Sequence, residues 1–101
     1  MSVALYARVS THRQQQAQTI EQQIERLQAH AADQGWEIAA EHLFRDDGYS
    51  GSRLNRPGLD HLRDQASLAV FDRVLITAPD RLARNFVHQM VILEELEQHG
   101  C

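Results

Sequence analysis

The order in which strand-like and helix-like patterns follow one another most restricts the fold of this chain. Residues 3–10 (VALYARVS) alternate strictly, with Val3, Leu5, Ala7 and Val9 on one face and Ala4, Tyr6, Arg8 and Ser10 on the other. Such alternation predicts a strand whose second face carries polar chemistry.

Two more strand-like segments and three helix-like segments complete the pattern. Thr11 to about Gln34 predicts an amphipathic helix, closed by Gly35, with Ile20, Ile24, Leu27 and Ala31 as its apolar positions. Trp36 to Phe44 suits a second strand, and residues 45–56 (RDDGYSGSRLNR) form a polar loop rich in turn residues.

The second half of the chain repeats the alternation. Pro57 suits the first turn of a helix that runs to about Ala69, with Leu59, Leu62 and Ala66 as its apolar stripe. Residues 73–78 (RVLITA) are nearly continuous in apolar character, as in a strand covered on both faces. After Pro79, a last helix is predicted that ends at Gly100. Its core-facing side chains are predicted to be Phe86, Met90, Leu93 and Leu96.

Strands that alternate with helices predict an α/β domain with a mainly parallel sheet flanked by helices, in flavodoxin-like layers. Because crossovers between parallel strands are right-handed, the functional loops are expected at the carboxyl ends of the strands. A length of 101 residues fits one such domain and is too short for two.

Composition excludes several classes of function. All ten basic residues are Arg, and the absence of Lys excludes Schiff-base enzymes and the P-loop lysine. The single Cys, Cys101, allows neither an internal disulfide nor a cysteine zinc site, and the six His show no H-x-x-x-H spacing. We therefore expect no metal and no cofactor.

The net charge of -4 argues against a surface that holds nucleic acid by overall charge, so any DNA-facing role requires a local basic cluster. No apolar run approaches the roughly 18 residues that span a membrane, and the first residues lack the regions of a signal peptide. We expect a cytoplasmic protein with no membrane partner.

A parallel sheet would bring three polar segments to one edge, because Ser10 ends the first strand, the polar loop follows the second and DRLARN (80–85) follows the third. The residues expected to meet there are Arg8, Ser10, Asp47, Ser50, Arg56, Asp80, Arg81 and Arg84. Guanidinium groups grip tetrahedral phosphate through a planar fork of donors. A serine hydroxyl beside them could attack a phosphodiester.

Simpler roles compete with these. Ser10 could cap a helix, Tyr6 could be an edge aromatic, and Arg81 and Arg84 could pair with Asp80 or face solvent. Asp47 and Ser50 could only shape a turn. The neighbouring loop residues Arg45, Asp46 and Arg53 are predicted to be solvated.

Four motifs in order resemble the serine recombinase family of resolvases, invertases and serine integrases. They are YARVST at 6–11, DDGYSG at 46–51, NRPGL at 55–59 and DRLARN at 80–85. The resemblance covers nearly the whole chain and implies a resolvase-like catalytic domain. It also implies site-specific DNA recombination, in which strands are cut and rejoined through a phosphoserine intermediate without ATP or metal.

The resemblance also implies roles for individual residues. Ser10 corresponds to the nucleophile, which becomes linked to the 5′-phosphate and leaves a free 3′-hydroxyl. Arg8, Arg56, Arg81 and Arg84 correspond to arginines that contact the scissile phosphate, and Asp80 to an acid that orients an arginine or handles a proton. The supporting positions are Tyr6, Gln14, Gln23, Asp47 and Ser50. Gln22 beside Gln23 leaves that assignment open by one residue, and the sequence names no general base.

The family resemblance further implies chain beyond these 101 residues: a last strand, a long helix for dimers and tetramers, and a DNA-binding domain. The chain is therefore interpreted as a truncated catalytic domain, its motifs closer to the integrase or transposon branch. Two alternatives stay open. One is a non-enzymatic α/β binding or regulatory module, although receiver domains need a Lys that this chain lacks. The other is a fragment that folds but is inactive without its DNA-binding domain.

Overall fold

The computed structural model describes residues 2–9, 19–47, 56–78, 81–83 and 85–101. Its elements in chain order are β1 (Val3–Val9), α1 (Ile20–Asp33), β2 (Leu43–Asp47), α2 (Pro57–Ser67), β3 (Arg73–Leu75) and α3 (Phe86–Gln98). A short 3-10 turn, Ala40–His42, precedes β2. The predicted alternation of strands and helices is confirmed.

The three strands form a parallel sheet in the order β2, β1, β3. Leu5 of β1 lies opposite Leu43 of β2 on one side and opposite Leu75 of β3 on the other. All seven residues of β1 are buried, so helices cover both faces of this central strand. The predicted α/β fold with a parallel sheet is therefore confirmed.

The helices lie on opposite faces of the sheet. On one face, Ile20 and Ile24 of α1 pack with Ala7 and Val9 of β1. On the other face, α2 and α3 enclose the larger core, whose members are Ala4, Tyr6, Phe44, Leu59, Leu62, Ala66, Phe71, Leu82, Ala83, Ile92 and Leu96. This layering makes β1 the rigid support from which Tyr6 and Arg8 project.

The first helix begins later than its sequence pattern predicts. Thr19 is extended, its hydroxyl accepts from the Gln22 amide at 3.2 Å, and the Gln22 side chain accepts from the Thr19 amide at 2.9 Å. This capping box starts α1 at Ile20. The prediction of one continuous helix from Thr11 is therefore wrong, because Thr19 is extended. Residues 11–18 lie outside the described residues.

The second strand is shifted towards the polar loop. It covers Leu43–Asp47 rather than the predicted Trp36 to Phe44, because pairing with β1 continues to the contact between Val9 and Asp47. Alternation within β2 exposes Arg45 and buries Asp46 beside the core residue Phe44. The third strand is also shorter than predicted and ends at Leu75 rather than Ala78.

The orientation of α3 differs from its prediction. Of the four side chains expected inside, only Leu96 is buried, whereas Phe86, Met90 and Leu93 are 71%, 44% and 47% exposed. The buried side chains of α3 are Ile92 and Leu96, one turn apart, and these face the core. The helix has more apolar positions than its single covered face can hold.

Among the described residues, no helix is long and apolar enough to cross a bilayer.

Candidate active site

Arg8 occupies the central strand near its carboxyl end and is only 1% exposed. Its backbone is held by Gln23 of α1, whose side-chain oxygen accepts from the Arg8 amide at 3.2 Å and whose Nε2 donates to the Arg8 carbonyl at 2.9 Å. The neighbouring Gln22 belongs to the exposed capping box of α1. The glutamine that contacts the strand is therefore Gln23.

Three arginines from three chain segments meet at this edge of the sheet. The backbone carbonyl of Arg81 accepts from Arg8 Nε and from Arg56 Nη1, each at 3.2 Å. In return, Arg81 Nη1 donates to the Arg8 carbonyl at 3.2 Å. We call Arg8, Arg56 and Arg81 the arginine cluster. Backbone oxygens, which carry only partial charge, bring these three cations together.

Arg56 is completely buried at the amino end of α2. Its Nε and Nη2 atoms have no hydrogen-bond partner among the described residues. Burial lowers the pKa of Arg56, and the nearby Tyr6 and Asp46 oppose that shift. A buried cation whose donors lack partners is costly unless an anion completes its shell, so Arg56 is a candidate ligand for an oxyanion.

Asp46 is the site residue that the sequence interpretation missed. The prediction that it is solvated is wrong, because it is 2% exposed and its carboxylate is fully engaged. Asp46 Oδ2 accepts from the Tyr6 hydroxyl at 2.7 Å and from the Leu59 amide at 3.0 Å, and Oδ1 accepts from the Gly58 amide at 2.7 Å. Its position two residues after the buried Phe44 is the pattern that could have revealed it.

Tyr6 lies inside the domain and not at its edge, with no exposed surface. Burial, together with the hydrogen bond to Asp46, raises the pKa of Tyr6 well above its ordinary range. The phenol therefore stays neutral and acts as a donor to Asp46. The Arg56 guanidinium carbon lies 5.7 Å from the Tyr6 ring centroid, within the range of a cation–π contact.

The described part of the site thus contains Tyr6, Arg8, Gln23, Asp46, Arg56 and Arg81. Asp47 is exposed at the end of β2, opposite Val9. The other residues predicted for the site, Ser10, Gln14, Ser50, Asp80 and Arg84, lie outside the described residues. Ser10 directly follows the last residue of β1 in the sequence.

Comparison with known families gives this arrangement its context. The profile of the family described as "Resolvase, N terminal domain" matches residues 3–101. The chain belongs to the resolvase family. The resemblance carried by the four sequence motifs is thereby confirmed.

Relatives of this resolvase-family domain agree with the assignment. The Bacillus subtilis (strain 168) protein named "Putative DNA recombinase" is 35% identical over 99 residues, which are 97% of this chain and 19% of that protein. The catalytic domain of TP901-1 integrase superposes with a TM-score of 0.88 at 31% identity, covering 99% of this chain and 72% of that one.

A second solved structure gives the same result. The C-terminal catalytic domain of ISC1926 TnpA, an IS607-like serine recombinase, superposes with a TM-score of 0.85 at 31% identity. The match covers 99% of this chain and 66% of that one. The resolvase family therefore accounts for both the sequence motifs and the layered fold.

Proposed function

We propose that this chain is the catalytic domain of a site-specific DNA recombinase in which Ser10 attacks a DNA phosphodiester. The observation that carries the proposal is the arginine cluster, in which three guanidiniums converge at the edge of the sheet where β1 ends. Such a cluster suits the oxygens of a phosphate that gains charge during displacement. The resolvase-family match supports the same chemistry.

In the proposed reaction, the Ser10 oxygen forms a bond to phosphorus and the bond from phosphorus to the 3′-oxygen breaks. A base takes the serine proton, an acid donates a proton to the departing 3′-oxygen so that it leaves as a hydroxyl, and the 5′-phosphate remains on Ser10. Attack by the 3′-hydroxyl of a second strand reverses the step and frees the serine. One phosphoester replaces another each time, so religation needs no ATP.

The residues of the arginine cluster have distinct tasks in this proposal. Arg8 and Arg81 bind non-bridging phosphate oxygens. Arg56 donates to the same phosphate through Nε and Nη2, the two atoms that have no partner among the described residues. Arg84 is proposed as a fourth phosphate ligand, and Asp80 as the acid that orients an arginine or handles a proton. Gln14, Gln23, Tyr6, Asp47 and Ser50 are proposed to support them.

The whole protein is proposed to act on double-stranded DNA in the cytoplasm, as a dimer that forms tetramers around two sites. The chain spans 19% of the length of the Bacillus subtilis relative that it matches. DNA binding and assembly are proposed as properties of the whole protein and not of residues 1–101. We expect residues 1–101 alone to yield no recombinant product.

The decisive experiment traps the covalent intermediate. The full-length protein that contains this domain is incubated with DNA carrying candidate sites, and religation is blocked. We expect wild type to form a protein adduct on the 5′-end of the DNA and Ser10→Ala to form none. Ser2→Ala, an exposed serine at the opposite end of β1, is the matched control and should form the adduct. Absence of the adduct from wild type would refute the proposed function, and an adduct from Ser10→Ala would refute the nucleophile.

The same assay tests the role of metal. Because guanidiniums supply the positive charge that a divalent cation would otherwise provide, we expect adduct formation to be unchanged in EDTA. Loss of the adduct in EDTA together with its recovery on addition of Mg²⁺ would show that the arginines are not sufficient.

A further inference from the structure

The amino end of α2 is capped in an unusual way. Arg56 occupies the N-cap position but makes no capping hydrogen bond, because its guanidinium has no acceptor atom for the helix amides, and its side chain lies instead in the arginine cluster. Pro57 at the first helical position has no N–H to donate. The next two amides, those of Gly58 and Leu59, donate instead to Asp46 on β2. A carboxylate from a neighbouring strand therefore does the work of the missing cap.

The helix and the strand are also in very close contact at this point. A Cβ atom placed on Gly58 would lie 2.6 Å from the Arg45 carbonyl oxygen and 3.0 Å from the Asp46 carboxyl carbon. No side chain fits at this position, so the backbone of α2 rests directly on β2. The close approach at Gly58 fixes where the first turn of α2 packs on β2, and the two hydrogen bonds to Asp46 hold it in that position.

We propose that Asp46 is a positioning residue that fixes the guanidinium of Arg56 by docking the amino end of α2 on β2. Arg56 immediately precedes the docked turn, so the direction of its side chain depends on that contact. Tyr6 completes the arrangement, because its hydroxyl donates to Asp46 while its ring faces Arg56. Asp46 acts on the phosphate only through Arg56. This inference rests on the proposed function.

Replacement of Asp46 by Asn tests the proposal. The Asn side chain has one acceptor oxygen where the two backbone amides of α2 engage both carboxylate oxygens, so one amide loses its partner. We expect the single-turnover rate of adduct formation to fall about 100-fold, the scale of a small misplacement of a catalytic group. DNA affinity, measured in a Ser10→Ala background, should change by less than about threefold, since the other phosphate ligands remain. Asp64→Asn removes an exposed carboxylate of α2 and should leave the rate unchanged.

A double-mutant cycle separates positioning from general structural damage. If Asp46 acts through Arg56, adding Asp46→Asn to Arg56→Ala should cause no further loss of rate. Full additivity of the two losses would overturn the proposal, as would a rate for Asp46→Asn within about threefold of wild type. Absence of the adduct from wild type would refute the proposed function instead, so the two failures are distinguishable.

A milder variant covers the case in which Asp46→Asn does not fold. Tyr6→Phe removes only the hydroxyl that donates to Asp46 and keeps the ring that faces Arg56. We expect about a tenfold loss of rate that disappears in the Arg56→Ala background. A loss that persists in that background would contradict the proposed route through Arg56.

Discussion

The arginine cluster and the outer face of α3 reverse the usual relation between side-chain chemistry and burial. Arg8 and Arg56 are 1% and 0% exposed, whereas Phe86 and Val87 are 71% and 64% exposed. Buried charge and exposed apolar surface are the informative departures from an ordinary domain. In the cluster, hydrogen bonds and close neighbours hold the charges in place, and on α3 the covered face is already filled by Ile92 and Leu96. Residue type alone therefore does not decide which side chains are buried.

The largest expected effect comes from removing a buried charge. Arg56→Met keeps much of the volume but removes every donor, so the rate of adduct formation should fall about 100- to 1,000-fold. Because the native site carries the cost of a buried cation, the free energy of unfolding should be unchanged or rise by about 1 kcal/mol. Single-turnover kinetics and chemical denaturation of the same variant measure both. A variant that loses stability and rate together would mean that Arg56 is mainly structural.

Two adjacent apolar residues of α3 test the other half of the comparison. Ile92→Ala should lower the free energy of unfolding by about 3 kcal/mol, because Ile92 is fully buried in the main core. Leu93→Ala, one residue later and 47% exposed, should lower it by no more than about 0.5 kcal/mol. Chemical denaturation of both variants measures the difference. Equal losses would show that another part of the protein covers the outer face of α3.

The smallest effect concerns alkaline pH. Burial raises the pKa of Tyr6 in the folded state above its unfolded value of about 10, so its contribution is fully present below pH 10. Above pH 10 the unfolded chain releases this proton and the folded protein retains it. The free energy of unfolding should then fall by up to about 1.4 kcal/mol per pH unit. Tyr6→Phe should show a shallower decline over pH 10 to 11, and an identical decline would contradict the neutral buried phenol.

The sequence allowed the family, the parallel sheet and the convergence of Arg8, Arg56 and Arg81 to be predicted, because these depend on motif order and on strand direction. Local pattern was insufficient for Asp46. Its burial depends on a strand that extends into a polar segment. It also depends on hydrogen bonds from the amides of Gly58 and Leu59, which lie twelve and thirteen residues further along the chain. The inward face of α3 was mispredicted for a related reason: several apolar stripes satisfy helical spacing, and only packing against α2 and the sheet selects one.

The Arg81 carbonyl, which receives Arg8 and Arg56, belongs to the main chain, and every amino acid supplies the same oxygen. Substitution of the Arg81 side chain therefore leaves the anchor of its two neighbours intact. The charge of the Arg81 side chain can be lost by mutation, whereas the Arg81 carbonyl oxygen that anchors Arg8 and Arg56 is present whatever residue occupies position 81. Substitution of Arg81 does remove the hydrogen bond from its Nη1 to the Arg8 carbonyl, so it is only the shared carbonyl anchor that is independent of the Arg81 side chain.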